Sequence, residues 1–73
     1  ERRDIPVKIS LKAARINAGL TQKAAAKKIG VSPDTLANYE KGVSFPDIPV
    51  IVRIEKTYGV EYADLIFLPK NYA

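Results

Sequence analysis

The chain has 73 residues, 47% of them hydrophobic, and a formal net charge of +4, enough for one small domain with a modest core and not for two. It contains no Cys and no His, which excludes disulfides, thiolate or imidazole metal sites and the usual nucleophile–base pairs. No apolar run approaches the roughly 18 to 20 residues that span a bilayer and no signal-peptide pattern is present, so a cytoplasmic protein held together by helix packing alone is expected.

Five helices are expected in chain order. Residues 1–8 read as an N-terminal arm, with zero net charge over 1–7 and a Pro at position 6. The first helix starts from Ser10 as cap, runs to Asn17 and stops at Ala18-Gly19. The second is capped by Thr21, whose side chain can accept from the free amides of the next turn, and passes through Ala24, Ala25, Ala26 and the lysines. Gly30 ends it, since the residue past a helix end often needs a positive φ, and Val31 can fold back as an apolar plug. Ser32 caps the third helix. Pro33 suits its first position, where a missing N–H leaves nothing unpaired, and Asp34 favours the positive end of the helix dipole. Gly42 closes it. The fourth helix spans Ile48 to Tyr58 with Asp47 as cap, Pro49 in the first turn and Val50, Ile51, Ile54 and Tyr58 as apolar stripe, ending at Gly59. The fifth, Glu61 to Leu68, carries Tyr62, Leu65, Ile66, Phe67 and Leu68 and is stopped by Pro69. The domain is thus expected over residues 9–68, with a C-terminal tail over 69–73.

Residues 21–42 form two short helices meeting at a Gly-centred turn, a helix-turn-helix, and that unit points to DNA. Helical spacing turns Ala25, Ala26, Ile29, Val31, Leu36 and Tyr39 inward and leaves Lys23, Lys27, Asp34, Thr35, Ala37 and Asn38 outward. Charge follows the same division. Residues 8–42 carry +5 and residues 43–73 carry −1, so the surplus positive charge lies in the half that would meet phosphates.

From Leu11 to Leu65 the chain resembles the lambda-repressor-like helix-turn-helix domains, the Cro and phage-repressor (Xre-type) regulators. The resemblance rests on ordered pieces: Leu11-Lys12-Ala13-Ala14-Arg15, Ala18-Gly19-Leu20-Thr21-Gln22, Lys28-Ile29-Gly30-Val31-Ser32, Asn38-Tyr39-Glu40-Lys41-Gly42, Pro46 and Tyr58-Gly59-Val60. It implies an all-α, compact five-helix domain whose second and third helices form the DNA-reading unit.

In this architecture the recognition helix enters the major groove by its N-terminal end while the preceding helix crosses the backbone. Pro33, Asp34, Thr35 and Asn38 become the candidate base readers. Asn38 can pair bidentately with an adenine edge, Asp34 can accept from a cytosine amino group or simply serve the helix dipole, and the Thr35 methyl can touch a thymine methyl. Ala37 offers only apolar contact. Gln22 stands where the family places a Gln that bonds a phosphate and braces the recognition helix, and the Thr21 amide can face the same phosphate. Lys23, Lys27, Lys28 and Lys41 are candidate phosphate clamps. Arg15 and Glu40 occupy the places of a shielded ion pair that fixes helix orientation, and Arg15 could reach a phosphate as well.

Two departures from the family pattern stand out. The loop Val43-Ser44-Phe45-Pro46 lacks a basic residue, and Ala24-Ala25-Ala26 is light for a helix that normally buries a larger aliphatic, so Ile9 or Phe45 is expected to fill that space. At the ends, Arg2 and Arg3 either enter a minor groove or belong to a solvated tail, and Ile66-Phe67-Leu68 with Tyr72 either completes the core or forms a homodimer contact. The expected function is a bacterial or phage transcriptional regulator, repressor before activator, that binds double-stranded operator DNA as a homodimer. Alternatives are the antitoxin of a toxin–antitoxin pair and a protein-interaction adaptor. No enzyme, metal, cofactor, membrane partner or small-molecule ligand is implied.

Overall fold

The structure is a computed structural model that describes residues 8–67. The elements run β1 (Ile9–Ser10), α1 (Leu11–Asn17), α2 (Gln22–Ile29), α3 (Pro33–Lys41), α4 (Ile48–Tyr58), a 3-10 turn (Tyr62–Asp64) and β2 (Leu65–Ile66). Each α-helix is started by a side chain of the expected kind. Ser10, Thr21, Ser32 and Asp47 accept from the backbone amides of Ala13, Ala24, Thr35 and Val50 respectively, satisfying donors that the helix itself leaves free.

The turn inside the α2–α3 unit follows from one residue. Gly30 takes φ 89°, ψ 30°, a left-handed conformation that a Cβ would strain. Its amide and that of Val31 both return to the Ala26 carbonyl, at 2.8 and 3.0 Å. Arg53 of α4 completes this corner by donating Nε to the Ile29 carbonyl at 2.6 Å, placing a cation at the negative end of α2.

The core joins all four helices: Leu11 and Ala14 from α1, Ala25, Ala26 and Ile29 from α2, Leu36 from α3, and Val50, Ile54 and Tyr58 from α4, with Leu65 beside them. Val31 and Tyr39 pack partly buried against it. Ala25 and Ala26 are fully buried, and their small size brings α2 close to α3 and α4, so that Ile29, Leu36 and Ile54 fill the interior. Of the two residues expected to fill the space left by the alanines, Phe45 takes no part. It is 55% exposed and meets the Phe67 ring edge-on at 6.3 Å between centroids. Ile9 does pack against the core, half-buried.

The fifth helix is corrected. In place of a helix over residues 61–68, a single 3-10 turn is closed by a reciprocal Glu61–Asp64 capping box, and Leu65–Ile66 then extends to pair in parallel with Ile9–Ser10, Ile9 opposite Leu65 and Ser10 opposite Ile66. A two-turn helix stopped by Pro69 would be marginal on its own. The strand pairing instead satisfies backbone groups at both ends of the domain while burying Leu65 and using β-branched Ile9 and Ile66 where they fit. The described architecture is therefore four α-helices, a 3-10 turn and a two-residue parallel pair. Leu68, Pro69 and Tyr72, like Arg2 and Arg3, lie outside the described residues.

Candidate nucleic-acid interface

Three helices converge on one buried polar cluster beneath the α2–α3 surface. Arg15, at the end of α1, donates Nε to Glu40 Oε2 at 2.7 Å and Nη2 to Oε1 at 3.4 Å, while Nη1 reaches the Leu20 carbonyl at 2.9 Å. Gln22, the first residue of α2, donates Nε2 to Glu40 Oε1 at 3.0 Å. The side chains of the ion pair are only 10% and 5% exposed. A carboxylate so enclosed is tolerated because every donor it needs is supplied, and the fork of Arg15 fixes where α3 lies relative to α1. Since the pair and the Gln22 amide tie α1, α2 and α3 together, the helix-turn-helix is a rigid unit.

The outer surface of that unit is polar and open. Pro33, Asp34 and Asn38 on α3 are exposed, as are Lys23, Lys27, Lys28 and Lys41 and the cap residue Thr21. Thr35 and Gln22 are half-buried, and so is Ala37. Thr35 is further constrained because Ser32 uses its oxygen to cap the Thr35 amide at 3.0 Å and its hydroxyl to donate to Thr35 Oγ1 at 2.8 Å. Of the Thr35 side chain, the methyl is thus left without a polar task. The side chain of Asn38 enters none of the described hydrogen bonds, while its carbonyl receives the amides of Gly42 and Val43 as α3 ends.

The structure brings Arg15, Glu40 and Gln22 together in one network, and the four base-reading candidates together along the first two turns of α3. The lysines lie along α2 and at the end of α3. Two participants were not singled out from sequence. Arg53, the one cation in Ile48–Tyr58 before Lys56, clamps α2 through the Ile29 carbonyl; a lone Arg inside an apolar helix stretch was the signal. Lys8, assigned to the arm, donates Nζ to the Ala63 carbonyl at 2.9 Å, a contact no local pattern announces.

Outside that unit, α4 and the 3-10 turn expose apolar side chains. Ile48, which is 76% exposed, Val52 and Tyr62 leave large hydrophobic surface in solvent, and with Ile51 and Glu55 they line a groove of about 450 Å³. The Tyr62, Phe67 and Phe45 rings continue it as a chain of contacts.

The sequence pattern of the helix-turn-helix family matches residues 11–65. Among known proteins the chain is similar to the HTH-type transcriptional regulator ImmR of Bacillus subtilis, 40% identical over 50 residues that make 68% of this chain and 39% of that protein. It is similar to the cryptic phage CTXphi transcriptional repressor RstR of Vibrio cholerae, 36% identical over 52 residues, 71% of this chain and 47% of RstR. A transcriptional regulator of HTH type from Methanocaldococcus jannaschii, MJ0272, is 39% identical over 59 residues, 81% of this chain and 89% of its own length. The chain thus spans less than half of ImmR and RstR.

Proposed function

The chain belongs to the lambda-repressor-like, Xre-type helix-turn-helix family, and on that premise we propose that it is a sequence-specific transcriptional regulator, a repressor that occupies operator DNA in the cytoplasm. The observation that carries the reading is the open N-terminal half of α3, held from beneath by the Arg15–Glu40–Gln22 network. A reading helix must be both exposed and fixed, because a bidentate contact tolerates little misplacement.

On this reading α3 enters the major groove and α2 crosses the backbone. Asn38 presents its amide to an adenine edge, Asp34 accepts from a cytosine amino group, and Pro33 and the Thr35 methyl make apolar contact with the bases. Lys23, Lys27, Lys28 and Lys41 neutralise phosphates, with Thr21 and Gln22 at the positive end of α2 bonding another.

A second copy completes the regulator. One such helix reads a short half-site, and two domains related by a two-fold axis read a palindrome whose halves are about 34 to 36 Å apart. The domain's principal extents of 35, 28 and 21 Å let two copies side by side span that distance. The groove of Ile48, Ile51, Val52 and Tyr62 supplies the apolar patch such a contact needs.

Selection from a random duplex library at about 150 mM salt, where non-specific phosphate binding is partly suppressed, tests the reading. A palindrome with half-sites about one helical turn apart is expected; a bound pool no different from the input would refute it.

A further inference from the structure

Ile48, Ile51, Val52 and Glu55 recur along α4 at three- and four-residue spacing and so share one face of the helix. Tyr62 from the 3-10 turn joins that face to make the groove of about 450 Å³. Such a volume lies in the range of small-molecule sites, which are mostly apolar and choose their ligand by a few fixed polar groups. Two residues can do the choosing here. Glu55 is the one charged residue on the wall and is half-buried, and Tyr62 brings an aromatic side chain that is 53% exposed.

Both groups are held in place. The Tyr62 backbone amide donates to Glu55 Oε2 at 2.7 Å, and the Tyr62 ring is braced by Phe67 at 5.8 Å between centroids. Among the described residues no cation pairs with the Glu55 carboxylate. Arg53 of the same helix donates to the Ile29 carbonyl, Lys8 donates to the Ala63 carbonyl, and Lys56, next in sequence, lies on a different face of α4. A half-buried carboxylate set beside Ile51 and Val52 is therefore short of a counter-charge. What the groove lacks is a positive charge carried on apolar atoms.

We propose that the α4 groove binds a lipophilic cation, an alkyl amine or quaternary ammonium whose chain lies on Ile48, Ile51 and Val52 and whose head sits between the Glu55 carboxylate and the Tyr62 ring. Aromatic rings attract cations, quaternary ammonium groups among them, and the carboxylate adds a Coulomb attraction that grows as the bound chain excludes water. A neutral ligand of the same length gains the apolar contact alone, and an anion meets repulsion from Glu55. Because the whole chain carries +4, a preference for cations is a property of this groove and not of the general surface. The ligand covers the apolar surface assigned above to a second copy, so the two exclude each other. That consequence rests on the dimer reading; the site itself does not.

Titration of hexyltrimethylammonium, hexanol and hexanoate into the labelled free protein, followed by backbone amide shifts, is the test. Shifts centred on Ile48, Ile51, Val52, Glu55 and Tyr62 are expected, with the cation bound about tenfold more tightly than the alcohol and the carboxylate most weakly. Glu55→Gln keeps an acceptor for the Tyr62 amide and is expected to remove most of the cation preference while leaving hexanol binding unchanged. Tyr62→Leu keeps the backbone amide and is expected to reduce the preference in part, which supplies a second reading if the Glu55 variant does not fold. Equal binding of cation and alcohol by the native chain would mark a plain apolar contact surface, fit for a second copy alone, and would overturn the site. So would a cation preference that survives both variants, or shifts centred elsewhere. In sedimentation, saturating hexyltrimethylammonium is expected to convert dimer to monomer where hexanoate does not; a dimer that persists would overturn the mutual exclusion. A chain that is monomeric without any probe would count against the dimer reading alone, and the titration would still judge the site.

Discussion

Two surfaces of this domain meet solvent with different chemistry. On the α2–α3 side the exposed groups are Lys23, Lys27, Lys28, Asp34 and Asn38, backed by a buried ion pair; on the α4 side they are Ile48, Val52 and Tyr62 around a groove. Charge on a rigid support suits a partner that stays hydrated and salt-sensitive, as DNA does. Apolar surface suits a partner that excludes water, such as a second protein copy. On the proposed reading one small fold separates DNA reading from assembly, and each side can be broken without the other.

The largest expected effect lies beneath the reading side. Glu40→Ala strands the buried Arg15 guanidinium and is expected to cost about 3 to 5 kcal/mol, visible as a drop of more than 10 °C in the thermal midpoint by circular dichroism. Arg15→Met with Glu40→Leu is expected to regain most of that loss, because an apolar pair leaves no charge uncompensated. Loss of DNA binding despite regained stability would show that the pair orients α3 and does more than hold it.

Alkaline titration probes the same region from α4. Tyr58 has its pKa raised from 10.0 to about 12 by burial first and by Glu40 second, so the folded state keeps the phenol proton that the unfolded chain loses. Its stabilising share is full below pH 10 and disappears as pH rises through 12. Chemical denaturation at successive pH values is expected to show that decline, and Tyr58→Phe is expected to flatten it. An identical slope in the variant would place the decline elsewhere.

Next come the surfaces themselves. Asn38→Ala is expected to cost about 1 to 3 kcal/mol on the preferred duplex and to relax one base position. Ile48→Glu leaves α3 untouched and places an acid in the first turn of α4, where the helix dipole accepts it. Sedimentation is expected to show the dimer weakened at least tenfold, with stability and single half-site contact retained. The smallest effect belongs to Lys27→Ala, which is expected to weaken all duplexes evenly and reduce the salt slope by about one unit. If Asn38→Ala and Lys27→Ala change the sequence preference alike, the division between base readers and phosphate clamps is wrong.

Legibility from sequence followed the range of the interactions. The starts of α1 to α4 and the ends of α2, α3 and α4 could be read because each is set within four residues, by Ser10, Thr21, Ser32 or Asp47 at the start and by Gly30, Gly42 or Gly59 at the stop. The segment after Gly59 could not, because Leu65–Ile66 owes its extended form to Ile9–Ser10 at the other end of the domain, and no local window contains both. The same holds for the site. Arg15, Gln22 and Glu40 stood at familiar spacings, whereas the Arg53 clamp on Ile29 and the unpaired Tyr58 hydroxyl depend on how α4 crosses beneath the α2–α3 unit. The choice between Ile9 and Phe45 stayed open in the sequence for a related reason, since the Phe67 ring that Phe45 meets is supplied by the same segment.

The central claim is that the α3 side reads DNA while the α4 side does not touch it. Mapping of backbone amide shifts as the selected duplex is titrated into the labelled protein tests that claim directly. Large shifts over residues 21–41, greatest at Asp34, Thr35 and Asn38, with Ile48, Val52 and Tyr62 unchanged at constant oligomeric state, are expected. Shifts centred on the α4 groove with α3 silent would contradict it.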